Sequence, residues 1–128
     1  MRLLLDTHAL LWWITDDDQL SEKAGEAIAD GANDVYLSAA SAWEIAIKAG
    51  LGRIRLPGDA WTFTPDQLER NAFQALPVHV AHAVAVITLP DVHRDPFDRM
   101  LVAQAMTEGL TIVSGDQDLS RYPVPVVW

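Results

Sequence analysis

The chain has 128 residues, half of them apolar, and contains no cysteine. This length allows one domain with a real hydrophobic core, and the lack of cysteine excludes disulfides and thiolate metal sites. The net charge of −9 disfavours unaided binding to nucleic acid but is compatible with a metal site built from carboxylates. No apolar stretch approaches the roughly 20 residues of a membrane span, and the N-terminus leads directly into a strand pattern. We therefore expect a cytoplasmic protein with a single domain over residues 1–128.

Apolar runs and helical patterns alternate along the chain. The first half predicts a strand at 3–5, helices at 9–14 and 22–32, a strand at 35–37 and a helix at 41–49. The second half predicts a helix at 65–72, an extended segment at 73–78, helices at 80–87 and 96–108, and strands at 110–113 and 124–127. Strands separated by helices imply parallel crossovers. The predicted fold class is therefore α/β, a three-layer α/β/α sandwich with a central, mainly parallel sheet.

Several helix ends are marked by residues suited to capping. Ser21 is a good N-cap, and Thr64-Pro65-Asp66-Gln67 has the form of a capping box with proline at the first helical position. Asp95-Pro96 opens the last helix, and Gly109 fits the position just beyond its C-terminus. The run Asp16-Asp17-Asp18 is most simply a solvated loop.

Carboxylates recur at the same type of position in separate segments. They are Asp6 after the first strand, Glu44 in the helix after the second strand, Asp98 in the first turn of the last helix, and Asp116 after the strand at 110–113. Right-handed crossovers place these segments at one edge of a parallel sheet, where α/β proteins bind ligands. We therefore expect four carboxylates to converge in one cleft.

A cluster of carboxylates repels itself unless a cation neutralises it. Oxygen ligands without cysteine suit Mg²⁺ or Mn²⁺. One or two such ions can activate water and stabilise the oxygens of an in-line phosphoryl displacement. The pattern thus points to a metal-dependent phosphodiesterase.

Each carboxylate also has a purely structural interpretation. Asp6 could be a turn or N-cap residue, and Ser41-Ala42-Trp43-Glu44 is itself a capping box in which Glu44 returns a hydrogen bond to the helix start. Asp95 could be an N-cap, which places Asp98 at a position where the helix dipole favours an anion. Asp116 and Asp118 could be turn residues. Because the same placement recurs in four segments, we favour a shared site.

Four segments carry a family resemblance: Leu3-Leu4-Leu5-Asp6-Thr7-His8, Ser38-Ala39-Ala40-Ser41-Ala42-Trp43-Glu44-Ile45-Ala46-Ile47-Lys48, His93-Arg94-Asp95-Pro96-Phe97-Asp98-Arg99-Met100-Leu101-Val102-Ala103-Gln104-Ala105 and Thr111-Ile112-Val113-Ser114-Gly115-Asp116. They resemble the PIN-domain family and, within it, the VapC-type toxins of bacterial and archaeal toxin–antitoxin pairs. The resemblance covers essentially the whole chain in order.

The resemblance implies a Mg²⁺- or Mn²⁺-dependent endoribonuclease. Its catalytic, metal-binding acids correspond to Asp6, Glu44, Asp98 and Asp116. Ser114 matches the family's hydroxyl residue near the fourth acid, and the other supporting positions are Thr7, Asp95 and Asp118, the last as a substitute or supplement for Asp116. The family also implies a homodimer and a cognate antitoxin that blocks the active-site groove.

An RNA substrate would have to be met by local positive charge, because the chain as a whole is acidic. The basic residues that flank the acidic segments are Lys48, Arg53, Arg55, Arg94 and Arg99. These are hypothetical backbone contacts, and their alternative is ion pairing, such as Lys48 with Glu44 at i, i+4. His8 and His93 lie near the expected cleft and could assist with substrate or proton movement.

Two other functions are compatible with the same residues. One is an aspartyl-phosphate phosphatase, which also places an aspartate after an apolar first strand but has a second acid where this chain has His8. The other is a catalytically silent module whose acidic groove binds a basic partner. Metal-dependent turnover separates the nuclease from both.

Overall fold

A five-stranded parallel sheet lies at the centre of the structure, a computed structural model that describes residues 1–128. Its strands are β1 (Arg2–Leu5), β2 (Asp34–Ser38), β3 (Gln74–Leu76), β4 (Thr111–Val113) and β5 (Val126–Val127). They lie in the order β3-β2-β1-β4-β5, so β1 is central and pairs with both β2 and β4. The predicted α/β class with a parallel sheet is confirmed.

Six α-helices accompany the strands: α1 (Thr7–Thr15), α2 (Glu22–Ala29), α3 (Ala39–Gly50), α4 (Ala60–Asn71), α5 (Val80–Ala85) and α6 (Pro96–Glu108). Short 3₁₀ turns follow at Val86–Thr88, directly after α5, and at Leu119–Arg121. None of the helices has both the length and the apolar character needed to cross a membrane.

The central strand is buried on both faces of the sheet. Leu3 and Leu5 belong to one hydrophobic cluster with Ile45 of α3, whereas Leu4 belongs to a second cluster with Leu101 of α6. Successive side chains of a strand point to opposite faces, so one apolar run serves two cores. This explains why β1 lacks polar alternation, and it gives the three layers that the sequence predicts.

Two predicted helix boundaries are confirmed by the hydrogen bonds at the helix ends. The Ser21 hydroxyl accepts from the backbone of α2, and α6 begins after the N-cap Asp95. Gly109 ends α6 with φ 68°, the left-handed conformation that favours glycine. Helix α2 ends at Ala29, three residues earlier than predicted, because the Asp30 carboxylate accepts a hydrogen bond within the following turn.

Helix α4 begins well before its predicted capping box. Its N-cap is Asp59, whose carboxylate accepts from the backbone N–H of Trp61 at 2.9 Å. Pro65 therefore lies inside the helix, and the prediction of a helix start at Thr64-Pro65 is wrong. The earlier start places Phe63 on the helix, where its side chain is buried in the core.

Helix α3 also begins earlier than predicted, directly at the end of β2. The Ser38 hydroxyl accepts from the Ala40 backbone N–H at 3.0 Å and caps the helix. Ser41 lies inside the helix, and its buried hydroxyl has no hydrogen-bond partner. The interpretation of Ser41 and Glu44 as a capping box is therefore wrong, and Glu44 takes no part in capping.

Candidate metal centre

Asp6 joins the central strand to α1 and is both a helix cap and a candidate ligand. Its backbone N–H donates to the Val113 carbonyl at 3.1 Å, and its carboxylate accepts from the Ala9 N–H at 2.7 Å. The residue is only 5% exposed. Burial raises the pKa of the Asp6 carboxyl, and hydrogen bonds from Ser114 and Ala9 partly oppose this effect.

Asp98 lies in the first turn of α6, half-buried beside other acids. Asp95 caps this helix by accepting from the backbone N–H of Phe97 at 2.9 Å and of Asp98 at 3.1 Å. Burial raises the pKa of Asp98 to about 6, and the charges of Asp95, Asp6 and Asp116 raise it as well. The repulsion shows that acids from three separate segments meet here.

Asp116 completes this group from the loop after β4. Its backbone N–H donates to the Ser114 hydroxyl at 3.0 Å, and its carboxylate accepts from the Asp118 N–H at 2.9 Å. One ligand atom each from Asp116, Asp98 and His93 lies within 4.8 Å of the other two. The Asp118 carboxylate instead lies 3.5 Å from the Arg121 guanidinium. Asp116, and not Asp118, is thus the acid that joins the cluster.

Glu44 is buried on α3 with both carboxylate oxygens engaged. The Thr7 hydroxyl donates to Oε1 at 2.5 Å, and the Lys48 ammonium lies 2.6 Å from Oε2. Because Thr7 directly follows Asp6, this hydrogen bond ties Glu44 to the segment that carries the first acid. The i, i+4 pair with Lys48 that the sequence offered as an alternative is present.

His93, which the sequence places near the cleft, extends the cluster together with Tyr122, which the sequence does not indicate. The Arg99 guanidinium donates to the Tyr122 hydroxyl at 3.1 Å, and that hydroxyl lies 2.8 Å from Nδ1 of His93. The hydroxyl therefore donates to Nδ1, which leaves the Nε2 proton to face Asp98 at 3.3 Å. This hydrogen bond lowers the pKa of Asp98 and so opposes the effect of burial. In the sequence, the contact between His93 and Asp98 is indicated only by their spacing of five residues. No feature of the sequence indicates the contact with Tyr122.

Comparison with known proteins identifies the family. The PIN domain family matches residues 3–125. The chain belongs to the PIN-domain family. Ribonuclease VapC22 of Mycobacterium tuberculosis (strain ATCC 25618 / H37Rv) is 33% identical over 129 residues, which cover 98% of each chain. Ribonuclease VapC16 of the same strain is 42% identical over 55 residues, which cover 43% of this chain and 39% of that protein.

Solved structures share the fold of this PIN domain at low sequence identity. VapBC2 from Rickettsia felis, bound to a DNA fragment from its promoter, matches with a TM-score of 0.72 and 15% identity, covering 98% of this chain and 97% of that chain. DNA-bound VapBC from Salmonella typhimurium matches with a TM-score of 0.72 and 16% identity, covering 98% of this chain and 96% of that chain. Membership of this family decides against the aspartyl-phosphate phosphatase considered above.

The five basic residues that the sequence offers for RNA contact fall into two groups. Lys48 is paired with Glu44, and Arg99 donates to the Pro90 and His93 carbonyls and to Tyr122, so both have internal partners. Arg53, Arg55 and Arg94 are exposed and form no ion pair. Of these five residues, only the second group is free to meet a phosphate.

The donor set of the PIN domain fits a hard divalent cation. Its ligand atoms are carboxylate oxygens, since the His93 imidazole is engaged by Tyr122 and Asp98, and the charges of the neighbouring acids raise the pKa of Asp98. Mg²⁺ and Mn²⁺ prefer oxygen ligands, and a cation would remove the repulsion that raises the pKa of Asp98. The residues that could hold it are Asp6, Asp98 and Asp116, with Glu44 and His93 beside them.

Proposed function

We propose that this PIN domain is a Mg²⁺- or Mn²⁺-dependent endoribonuclease and the toxin of a toxin–antitoxin pair. The ribonuclease activity is supported by the full-length similarity to Ribonuclease VapC22. The observation that carries the metal dependence is that ligand atoms of His93, Asp98 and Asp116 lie within 4.8 Å of one another, with Asp6 near enough for its charge to raise the pKa of Asp98. Such an arrangement is unfavourable in a protein that binds no cation.

The chain's own residues prepare this site for phosphodiester hydrolysis. A bound divalent cation supplies Lewis-acid stabilisation for the in-line attack of water. Asp6, Asp98 and Asp116 would provide the oxygen ligands, and Glu44, held by Thr7 and Lys48, would stand beside them. The Ser114 hydroxyl orders the loop of Asp116 by accepting from the Asp116 backbone N–H, and Ser114 also lowers the pKa of the Asp6 carboxyl. His93 orients the Asp98 carboxylate through its Nε2 proton.

Incubation of total cellular RNA with the purified protein tests this proposal. With Mg²⁺ or Mn²⁺ we expect discrete products, and with a chelator or with Asp98→Asn we expect none. Asp118→Asn should retain cleavage, because the Asp118 carboxylate faces Arg121 and not the cluster. Products that persist in Asp98→Asn or in chelator would overturn the assignment of the site.

A second copy of the chain is the partner we propose for the apolar surface of α5. Val80, Val84 and Ile87 follow one another at i, i+4 and i+7 along α5 and its 3₁₀ turn, and all three are exposed. Exposed apolar faces of this kind mark protein contacts. Sedimentation should show a dimer that Ile87→Asp converts to a monomer, and a monomeric parent protein would contradict the assignment.

The antitoxin is proposed from the family resemblance, and the VapBC structures with the same fold support it. The expected partner covers the carboxylate groove and so inhibits cleavage. Affinity capture from the source cells should yield one stable protein that restores RNA integrity when added back. A captured protein that leaves cleavage unchanged would contradict this part of the proposal.

A further inference from the structure

Three aromatic side chains form a row beside the metal centre. The rings of His8 and Trp12 have centroids 5.5 Å apart, and those of Trp12 and Trp128 are 5.8 Å apart. We call His8, Trp12 and Trp128 the aromatic row. His8 is exposed, and the two tryptophans are half-buried. The row therefore presents aromatic surface to solvent at its His8 end.

Both ends of the aromatic row touch segments that carry the acids. His8 lies two residues after Asp6, at the start of α1. At the other end, the Trp128 ring lies directly over Gly115, where an added Cβ would come within 2.6 Å of the ring. Gly115 lies between Ser114 and Asp116, so only glycine lets the row approach the loop of the fourth acid. The row thus flanks the metal centre and is fixed to it.

A cleft of about 470 Å³ opens along the His8 end of the row. His8 and Trp12 line it with aromatic surface, and Lys48 and Arg53 line it with positive charge. Arg53 is exposed and has no ion pair, whereas Lys48 is held by Glu44. Thr7 also lines the cleft, and its hydroxyl donates to Glu44. The cleft therefore borders the candidate ligands and has the size of a small-molecule site, about 300–1,000 Å³.

Aromatic rings and a free guanidinium in one cleft match the two halves of a nucleotide. A base can stack on the ring face, and its phosphate can bind the cation. Only unpaired bases expose their faces, because bases in an A-form helix are stacked on their neighbours. We propose that this cleft is a nucleotide subsite, in which an RNA base stacks on the His8 end of the aromatic row and its phosphate binds Arg53; this inference rests on the proposed ribonuclease function.

The local charge explains why stacking is needed. The chain has a net charge of −9, and the acidic loop Asp16-Asp17-Asp18 follows the C-terminal end of α1. Long-range attraction to RNA is therefore absent, and a single free arginine holds a phosphate only weakly at physiological salt. Stacking is independent of net charge. A purely structural row would leave the exposed position of His8 and the free charge of Arg53 unused.

Binding of short RNAs to the uncleaving Asp98→Asn protein tests the inference. The probes are a fluorescein-labelled, unstructured RNA of ten nucleotides and a hairpin duplex with the same number of phosphates, followed by fluorescence anisotropy. We expect His8→Ala to raise the Kd for the unstructured RNA about tenfold and His8→Phe to restore it, because base stacking needs an aromatic face. Arg53→Ala should reduce the slope of log Kd against log salt concentration by about one, as expected for the loss of one phosphate contact.

Two control variants test whether the effects on binding are specific to the cleft. His79→Ala and Arg70→Ala remove the same residue types at exposed positions outside the cleft and should leave the Kd unchanged. The inference is overturned if His8→Ala binds like the parent, or if it weakens binding to the hairpin as much as to the unstructured RNA. Thermal unfolding confirms that each variant is folded.

These experiments distinguish failure of the proposed nucleotide site from failure of the proposed ribonuclease activity. If the parent protein cleaves RNA with metal while its His8→Ala and Arg53→Ala variants bind and cleave normally, the nuclease stands and the aromatic row is not a nucleotide site. If row-dependent binding to unpaired RNA is found and the parent protein does not cleave, the binding surface stands and the proposed activity fails.

Discussion

The carboxylates of the metal centre oppose folding when no cation is bound. Burial and neighbouring charges raise the pKa of Asp98 from 3.8 to about 6. One pKa unit corresponds to about 1.4 kcal/mol, so ionising this residue in the folded chain costs at most about 3 kcal/mol at neutral pH. The residues that make the site useful for chemistry are thus those that weaken the metal-free fold, as is common at functional sites.

Replacing the most repelled acid should therefore stabilise the metal-free protein. An acid whose folded-state pKa is raised holds its proton longer in the folded chain, so stability falls as pH rises from about 4 through 6. We expect Asp98→Asn to be more stable than the parent by about 1–3 kcal/mol at pH 7.5 and equally stable near pH 4. Urea unfolding in chelator at both pH values measures this difference. An Asp98→Asn protein that is less stable at pH 7.5 would show that Asp98 is not under repulsion.

At the scale of elements, the sequence predicts those features of strands and helices that a single segment determines. It fails where a feature depends on contacts between distant segments. The three leucines of β1 indicate burial on both faces, because the apolar run itself has no polar alternation. The acids after the strands are correctly placed at one edge of the sheet, because parallel topology dictates it. Capping signals at Ser41 and Thr64 are misleading, because Ser38 and Asp59 offer earlier starts.

Contacts between distant segments explain the remaining misses. His93 meets Tyr122 across 29 residues of chain, and nothing in the local pattern of either residue indicates the other. The choice between Asp116 and Asp118 likewise depends on the turn after β4, in which the Asp118 side chain is directed to Arg121. Spacing alone places both acids near the site and cannot separate them.

Gln104 of α6 joins three elements that surround the carboxyl ends of β2 and β3. It is fully buried, accepts from the Ser38 hydroxyl at 2.5 Å and donates to the Pro77 carbonyl at 3.1 Å. Gln104→Leu would remove the acceptor of the Ser38 O–H and the donor to the Pro77 carbonyl, so we expect a loss of about 1–3 kcal/mol in the free energy of unfolding. Gln19→Leu, at an exposed position whose side chain forms no hydrogen bond, is the control. A neutral Gln104→Leu would mean that water replaces these bonds.

At the scale of the whole molecule, the fold places its acids where a cation can restore the lost stability. The sheet brings the ends of β1 and β4 side by side, and α6 delivers Asp98 between them from a distant part of the chain. A cation bound only by the folded chain stabilises it in proportion to the logarithm of its concentration. The proposed site therefore predicts that metal binding, activity and stability are coupled through the same three acids.

This coupling predicts that metal reverses the order of stability of two proteins. In chelator, Asp98→Asn should unfold at a higher temperature than the parent, for the electrostatic reason given above. At about a hundredfold excess of Mg²⁺ or Mn²⁺ over its Kd, the parent should gain about 2.7 kcal/mol, whereas Asp98→Asn, lacking a ligand, should gain much less. Asp66→Asn, which removes an exposed acid from α4, should respond to metal like the parent. Equal metal responses of the parent and Asp98→Asn would place the cation elsewhere, whereas a crossing of the two stability curves as metal is added would identify these acids as its site.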